Sequence, residues 1–209
     1  MGVSKQQAVE NRKTIIEASE KLFREHGIDG VGLSALMKAA GFTQGGFYNH
    51  FQSKDALAAE VVARAMDKAG QDLKDALAVP VKRGGNRLKR QVDFYLSGSH
   101  CADIEQGCAI AGLAADVRRL GHEAQGHFAG GLQQVFDVVA KLITEQHAQG
   151  RDPDEARREA IALYSEMVGA LILSRSVAAT DPALGKEILA ANHEMLLKRL
   201  ARDAEEGKR

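Results

Sequence analysis

The sequence predicts an all-α protein of about nine helices, and three features support this prediction. Apolar residues recur at three- and four-residue steps along most of the chain, and no stretch alternates with the period of two that a strand requires. Glycine and proline fall between these periodic stretches, where helices end. The chain has 209 residues, of which 44% are hydrophobic and 27% charged, so it can form one large or two small domains with cores of their own.

The first two helices are predicted from their apolar faces and from the glycines that follow them. After a mobile arm of about eight residues, a helix from Val9 to His26 has one apolar face and ends at Gly27. A second helix begins at Leu33, where Gly32 is a permitted but weak cap. Gly41 then supplies the residue that tolerates a positive φ at the end of this helix.

A third short helix is predicted to begin at Thr43, a suitable N-cap residue. Phe47 and Phe51 are four residues apart, so they can anchor this helix to a small core. Gly45 and Gly46 cost about 1 kcal/mol each relative to alanine, which favours a helix that another surface approaches closely. The backbone of DNA is such a surface, and the polar side chains nearby suit phosphate oxygens or base edges.

The remaining helices follow from caps and breaks. Ser53 is predicted to cap a helix that runs to about residue 79 and is long enough to join two domains. A loop at Pro80 to Asn86 precedes a helix that ends near Leu96, and residues 97–107 are predicted to form a second loop. Further helices are predicted at 108–120, from 122 to the break at Gly150 and Pro153, from Asp152 to about 179, and from Asp181 onwards.

Charge and composition exclude several classes of protein. Lysine plus arginine and aspartate plus glutamate both number 28, so the chain is neutral and has no basic domain, although residues 33–54 contain two lysines and no acid. No apolar run approaches the ~18 residues of a membrane span, and the first residues are polar, so we expect a cytoplasmic protein without a secretory signal. Two cysteines are too few for a disulfide scaffold.

The stretch Met167–Leu173 is apolar on all sides and must be covered on two sides. A chain of this size offers one core, so we infer a homodimer in which the last two helices of each subunit form a four-helix bundle. The alternative is that this helix lies wholly inside its own domain.

Many residues match, in order and spacing, the amino-terminal signature of the tetracycline-repressor (TetR) family: Arg12, Ile15, Ile16, Ala18, Leu22, Phe23, Gly27, Leu36, Ala40–Thr43, Gly46–Tyr48, His50, Phe51, Ser53, Lys54 and Leu57. The match covers roughly residues 9–62, and the rest of the chain resembles the family in its helical layout alone. The resemblance implies a helix-turn-helix DNA-binding domain at 1–52 and an effector-binding and dimerisation domain at 53–209. It also implies a dimeric transcriptional regulator, in most members a repressor, that binds a double-stranded DNA operator.

The resemblance further implies that residues 44–50 form the recognition helix. Gln44, Gly45 and Gly46 would lie nearest the bases, and Asn49 could also pair with base edges. The residues expected to hold phosphates are Thr43, Tyr48, His50 and Lys54. The sequence departs from the family pattern at Gly32, where Ser or Thr usually caps the second helix, and at Met37, where a small residue is common.

Cys108 is the candidate for a chemical sensor. It lies at a predicted helix start, where exposed amides can activate a thiol, and the segment 107–116 resembles a branch of the family in which some members sense electrophiles or oxidants. A buried structural cysteine is the alternative. The spacing of Cys101 and Cys108 does not match a zinc site, so we expect neither a metal nor another cofactor.

An effector pocket is expected between the carboxy-terminal helices, for a small and largely apolar ligand. Its candidate residues are Phe94, Cys108, Leu113, Phe128, Leu132, Phe136, Tyr164 and Met167. The alternative function is a small helical enzyme that uses Cys108, His122 or His127, although no nucleophile, base and orienting acid can be placed together from the sequence.

Overall fold

The computed structural model describes residues 4–82, 85–146 and 151–206, and in these ranges the chain forms nine α-helices and one 3₁₀-helix without any strand. The helices are α1 (Lys5–His26), α2 (Leu33–Ala39), α3 (Lys54–Ala78), α4 (Arg87–Tyr95), α5 (Gly98–Ala102), α6 (Ala109–Val117), α7 (His122–Gln146), α8 (Pro153–Val177) and α9 (Pro182–Glu206). Residues Gln44–Asn49 form the 3₁₀-helix, which we call the 3₁₀ segment. The predicted all-α fold class is confirmed.

Packing divides the chain into two compact units. Unit 1 contains residues Met1–Lys68 and Ile104–Gly131, and unit 2 contains Ala69–Asp103 and Leu132–Arg209. The first three elements of unit 1 surround a small apolar core that includes Ile15, Phe23, Leu36, Met37 and Phe47, all of them fully buried. Unit 1 also contains α6, which packs on α1.

In unit 2, the long helices α8 and α9 pack against each other, and α4 packs on α9. Met167 and Leu171 of α8 and Leu196 of α9 are buried. By length and composition α8 could cross a membrane, and it is the one described helix with this property, but core helices of soluble proteins share it.

Several predicted helix ends agree with the structure. Gly27 and Gly41 have φ values of 74° and 83°, in the region that glycine tolerates best. The Ser53 hydroxyl accepts a hydrogen bond from the amide of Ala56 at 3.0 Å, and the Asp152 carboxylate accepts one from the amide of Asp154. These caps fix the starts of α3 and α8.

Two predictions of local structure are wrong, and a third is correct only in part. Helix α1 begins at Lys5, where Ser4 caps it, so residues 5–8 belong to this helix and not to a mobile arm. Residues 98–102 of the predicted loop form α5, which Ser97 caps. Thr43 lies at the N-cap position as predicted, but its side chain makes no capping bond, and the helix that follows is a 3₁₀-helix. Parts of the predicted loops, residues 83–84 and Gly150, lie outside the described residues.

Candidate nucleic-acid interface

The eight residues predicted to contact DNA lie in and beside the 3₁₀ segment. Tyr48 is 70% exposed, and Thr43, Gln44, Gly45 and Asn49 are also exposed. The other three predicted residues, Gly46, His50 and Lys54, are half-buried. Phe47 and Phe51 turn inward, with their ring centroids 5.6 Å apart, so this short stretch combines a buried aromatic anchor with an exposed polar face.

The two glycines of the 3₁₀ segment are not explained by the packing of the chain itself. A Cβ added at Gly45 would meet no atom within 4 Å, and one at Gly46 would meet the Met37 methyl carbon at an ordinary 3.8 Å. Neither glycine has a positive φ. Their small size therefore leaves space outside the protein surface, which suits close approach by another molecule.

Arg12 of α1 also contacts this region, although sequence reasoning did not assign it a role. Its guanidinium donates a hydrogen bond to the carbonyl of His50 and forms an ion pair with Glu60 of α3. The guanidinium carbon lies 4.3 Å from the centroid of the Phe51 ring. One side chain thus joins α1, the end of the 3₁₀ segment and α3.

A second arginine of α1 attaches the loop before α6. Arg24 donates to the carbonyl of Gly107 at 2.7 Å, and it forms an ion pair with Glu20, whose other oxygen lies 3.2 Å from Arg64 of α3. The side chains of Arg24 and Glu20 are only 4% and 10% exposed. The sequence contains a signal for this buried pair, because Glu20 and Arg24 follow Ile16 at four-residue steps and therefore lie on the same face of α1.

Asp116 holds the other end of α6. Its carboxylate accepts a hydrogen bond from the amide of Ile28 at 3.1 Å, just after α1 ends, and it pairs with Arg119. Gly27 faces the same carboxylate, where an added Cβ would lie 3.3 Å from Oδ2. Helix α6 is therefore fastened at both ends to the last turn of α1 and the residues that follow it.

Cys108 is the N-cap residue of α6, as the predicted helix start requires. The Sγ atom is 3.5 Å from the amide nitrogen of Ala111, and the residue is half-buried. The preceding residue, Gly107, is the one whose carbonyl Arg24 binds. Chemistry at this thiol would therefore take place next to the contact between α6 and α1.

The eight candidate effector residues divide between the two units. Cys108, Leu113 and Phe128 lie in unit 1, and the other five lie in unit 2. In unit 2 the rings of Phe136 and Tyr164 are in edge contact with centroids 6.4 Å apart, Met167 is buried, and Phe94 is 58% exposed. A groove of about 420 Å³ in unit 2 is lined by none of the eight residues, so this set stays a prediction.

The histidines considered for catalysis, His122 and His127, are exposed on α7. In the part of the chain that the structure describes, no three His, Cys, Asp or Glu side chains form a group able to hold a metal ion. His100 is buried, and its Nδ1 atom lies 2.7 Å from the carbonyl oxygen of Tyr95. Burial lowers the pKa of this imidazole, which favours its neutral form.

Comparison with known proteins relates the amino-terminal region to one family. The family model described as "Bacterial regulatory proteins, tetR family" matches residues 15–61, a range that includes the 3₁₀ segment. The repressor NemR of Escherichia coli K12 is 26% identical over 195 residues, which cover 87% of this chain and 94% of NemR. The repressor DhaR of a Mycobacterium species is 25% identical over 152 residues and covers 71% of each chain.

Solved structures extend the similarity to the whole fold. The reduced form of E. coli NemR superposes with a TM-score of 0.69 and 22% identity, covering 88% of this chain and 95% of that one. A TetR transcriptional regulator from Chloroflexus aurantiacus superposes with a TM-score of 0.76 and 21% identity, covering 94% and 96%. At these identities the comparison concerns the fold alone.

Proposed function

Because this chain is a transcriptional regulator of the TetR family and not an enzyme, we propose that it is a repressor that binds a palindromic operator as a homodimer. The observation that carries this proposal is the exposed polar face of the 3₁₀ segment, with two glycines that its own packing does not require. A small effector or modification of Cys108 would release it from DNA. Its place of action is the cytoplasm.

The DNA-reading role belongs to the exposed residues of the 3₁₀ segment. Gln44 and Asn49 carry amides that pair with base edges in the major groove, and Gly45 and Gly46 allow the backbone to approach the DNA. Thr43, Tyr48, His50 and Lys54 supply donors for phosphates, which position the segment without reading sequence. With few base-reading side chains, operator choice also depends on DNA shape and on the dimer's spacing.

The homodimer forms through α8 and α9. Ile161 and Ile172 of α8 are both partly exposed and lie eleven residues apart, which places them on one helix face, and Leu173 beside them is 58% exposed. On α9, Leu184 and Met195 have the same separation and are exposed as well. Gly169 offers space for a close helix approach, since a Cβ there would meet no atom within 4 Å. A second copy would cover these apolar faces in a four-helix bundle.

Release from DNA would begin at α6. A modified Cys108, or an effector bound beside Cys108 and Leu113, would shift the start of this helix. Arg24 binds the carbonyl next to Cys108 and is itself buried with Glu20, so the shift would leave charged groups poorly paired unless α1 moved too. A ligand that prefers the shifted state would reduce the population able to bind the operator.

We keep residues 1–52 as the DNA-binding domain and 53–209 as the effector-binding and dimerisation domain. The division by packing is different, because residues 53–68 and 104–131 belong to unit 1 together with residues 1–52. The place of α6 in unit 1, together with α1, supports a release route that begins at α6.

Operator binding can be tested by selecting DNA from a random duplex library with the purified protein, followed by gel shift and footprinting. We expect a palindrome. Gln44→Ala and Asn49→Ala should change which bases are preferred at individual positions and cost about 1–3 kcal/mol each. Gln52→Ala, an exposed amide just outside the 3₁₀ segment, is the matched control. Failure of the wild type to enrich any sequence would refute the proposal.

The sensor role of Cys108 can be tested with N-ethylmaleimide and the selected operator. Modification at Cys108, located by mass spectrometry, should release the wild type and Cys101→Ser but leave Cys108→Ser bound. Cys101 is a suitable control because it is also half-buried, with its Sγ 3.4 Å from the Ser174 hydroxyl. Release of Cys108→Ser by the same treatment would exclude the sensor role of Cys108 and point to the other thiol, Cys101.

A further inference from the structure

The guanidinium of Arg12 makes contacts that the DNA-binding role of the neighbouring residues does not account for. It binds the His50 carbonyl, pairs with Glu60 and lies over the ring of Phe51, which is buried. These contacts connect residues 38 to 48 positions apart in sequence. They converge on the carboxyl end of the 3₁₀ segment.

The 3₁₀ segment has little intrinsic tendency to keep its shape. It has six residues, two of them glycine, and 3₁₀-helices have poorer hydrogen-bond geometry than α-helices. No side chain caps its start, because the Thr43 hydroxyl makes no capping bond. Its geometry must therefore be fixed from outside, by Phe47 within the core and by a contact at its end.

Arginine suits this position better than lysine. A planar guanidinium can stack on an aromatic ring while its edge donates to two different acceptors, whereas an ammonium is a compact point charge. The positive charge also complements the negative end of the short helix at the His50 carbonyl. Glu60 of α3 pairs with the same guanidinium, so Arg12 connects the 3₁₀ segment to both α1 and α3.

We propose that Arg12 is a positioning residue for DNA recognition, which holds the 3₁₀ segment at the angle to α1 and α3 that lets Gln44 and Asn49 reach base edges. Arg12 acts through the His50 carbonyl and not through a phosphate. The proposal rests on the operator-binding function proposed above, and it adds a residue outside the exposed face.

Arg12→Gln removes the ion pair and the stacked charge and leaves the 3₁₀ segment free to sample other orientations. If about a tenth of the molecules keep the binding-competent orientation, operator affinity falls about tenfold. Affinity for unrelated duplex DNA should stay within about twofold, because phosphate contacts tolerate reorientation and supply non-specific binding. Arg12→Lys should keep the charge and still bind the operator less tightly than wild type.

The salt dependence of binding separates positioning from phosphate contact. Arg12→Gln should leave the slope of log affinity against log salt unchanged, whereas Lys54→Gln should reduce its magnitude by about one. Lys13→Gln, the exposed neighbour of Arg12, controls for loss of one positive charge from α1. Equal loss on operator and unrelated DNA with a reduced slope would identify Arg12 as a phosphate contact and overturn the proposal.

Amide hydrogen exchange tests the same proposal without an operator. In the DNA-free full-length protein, Arg12→Gln should speed exchange in residues 44–51 at least about tenfold, and α8 should exchange as in wild type. Wild-type exchange in residues 44–51 would overturn the proposal even if DNA binding changed. A wild type that enriches no operator would instead refute the proposed function, and the exchange result would still decide the role of Arg12.

Discussion

Two adjacent glycines of α7, Gly130 and Gly131, should respond to alanine in opposite ways. Gly131 is buried against Met66 of α3, and an added Cβ would lie 2.6 Å from both the Cβ and the terminal methyl carbon of Met66. The methyl end of Met66 can rotate away, but its Cβ is fixed to the backbone of α3. At Gly130, an added Cβ would meet no atom within 4 Å.

The magnitude follows from this geometry. Carbon atoms pack at about 3.5–4.0 Å, so Gly131→Ala must separate α3 and α7 locally by about 1 Å. Overpacking of this kind costs about 1–3 kcal/mol. Alanine gains about 1 kcal/mol over glycine in a helix at either position, so this gain cancels when the two variants are compared. Gly131→Ala should therefore be about 1–3 kcal/mol less stable than Gly130→Ala.

Thermal and urea denaturation, followed by circular dichroism at one fixed protein concentration, measure this difference. For a chain of this length it corresponds to roughly 2–12 °C in Tm. Gly130→Ala should be as stable as wild type or more stable. Equal stabilisation by both substitutions would refute the reasoning, because it would show that α3 and α7 do not approach each other this closely at Gly131.

The other predictions concern the dimer, a buried histidine and the attachment of α6. Leu173→Glu on α8 should raise the dimer dissociation constant at least about 100-fold by placing a carboxylate in the interface, as measured by light scattering, while Gln133→Glu on α7 leaves the dimer intact. An unchanged dimer would exclude this face of α8. His100 is kept neutral mainly by burial, and Arg175 lowers its pKa further, whereas the Tyr95 carbonyl and Asp103 raise it. Since its pKa is lower in the folded state, its unfolded form binds more protons. The free energy of unfolding should then be highest above pH ~6.5 and fall below it, a decline that His100→Gln should reduce. Asp116→Ala should cost about 1–3 kcal/mol in urea denaturation by leaving the Ile28 amide without its acceptor, and Asp116→Asn should recover most of this loss because its amide oxygen can accept; equal loss in both variants would contradict that assignment.

The helices were predictable where their signals are local. Gly27 and Gly41 end α1 and α2, and Ser53 and Asp152 begin α3 and α8, because a cap depends on residues one to four positions away. The burial of Phe47 and Phe51 was also predictable, because it depends on their four-residue spacing, which is local too.

Features that depend on distant partners were not predictable. Helix α5 has no apolar period. Arg175, more than 70 residues away, donates hydrogen bonds to the carbonyls of His100 and Cys101 within α5 and to that of Asp103 just after it. The carbonyl contacts of Arg12 and Arg24 were equally unpredictable, although the pairing of Arg24 with Glu20 could be expected from their spacing, because a charged side chain in a helix does not indicate which distant carbonyl it will bind. The sequence predicts a helix at residues 44–49 but not its 3₁₀ form, because paired glycines disfavour an α-helix without specifying the alternative.

Two copies of the 3₁₀ segment, carried by one dimer, should read one operator. Footprinting on DNA selected by the purified protein, combined with the stoichiometry of the complex from light scattering, tests it most directly. We predict a palindrome whose half-sites are protected about one helical turn, ~34 Å, apart, with two chains bound to each palindrome. Protection of a single unsymmetrical site by one chain would contradict this account.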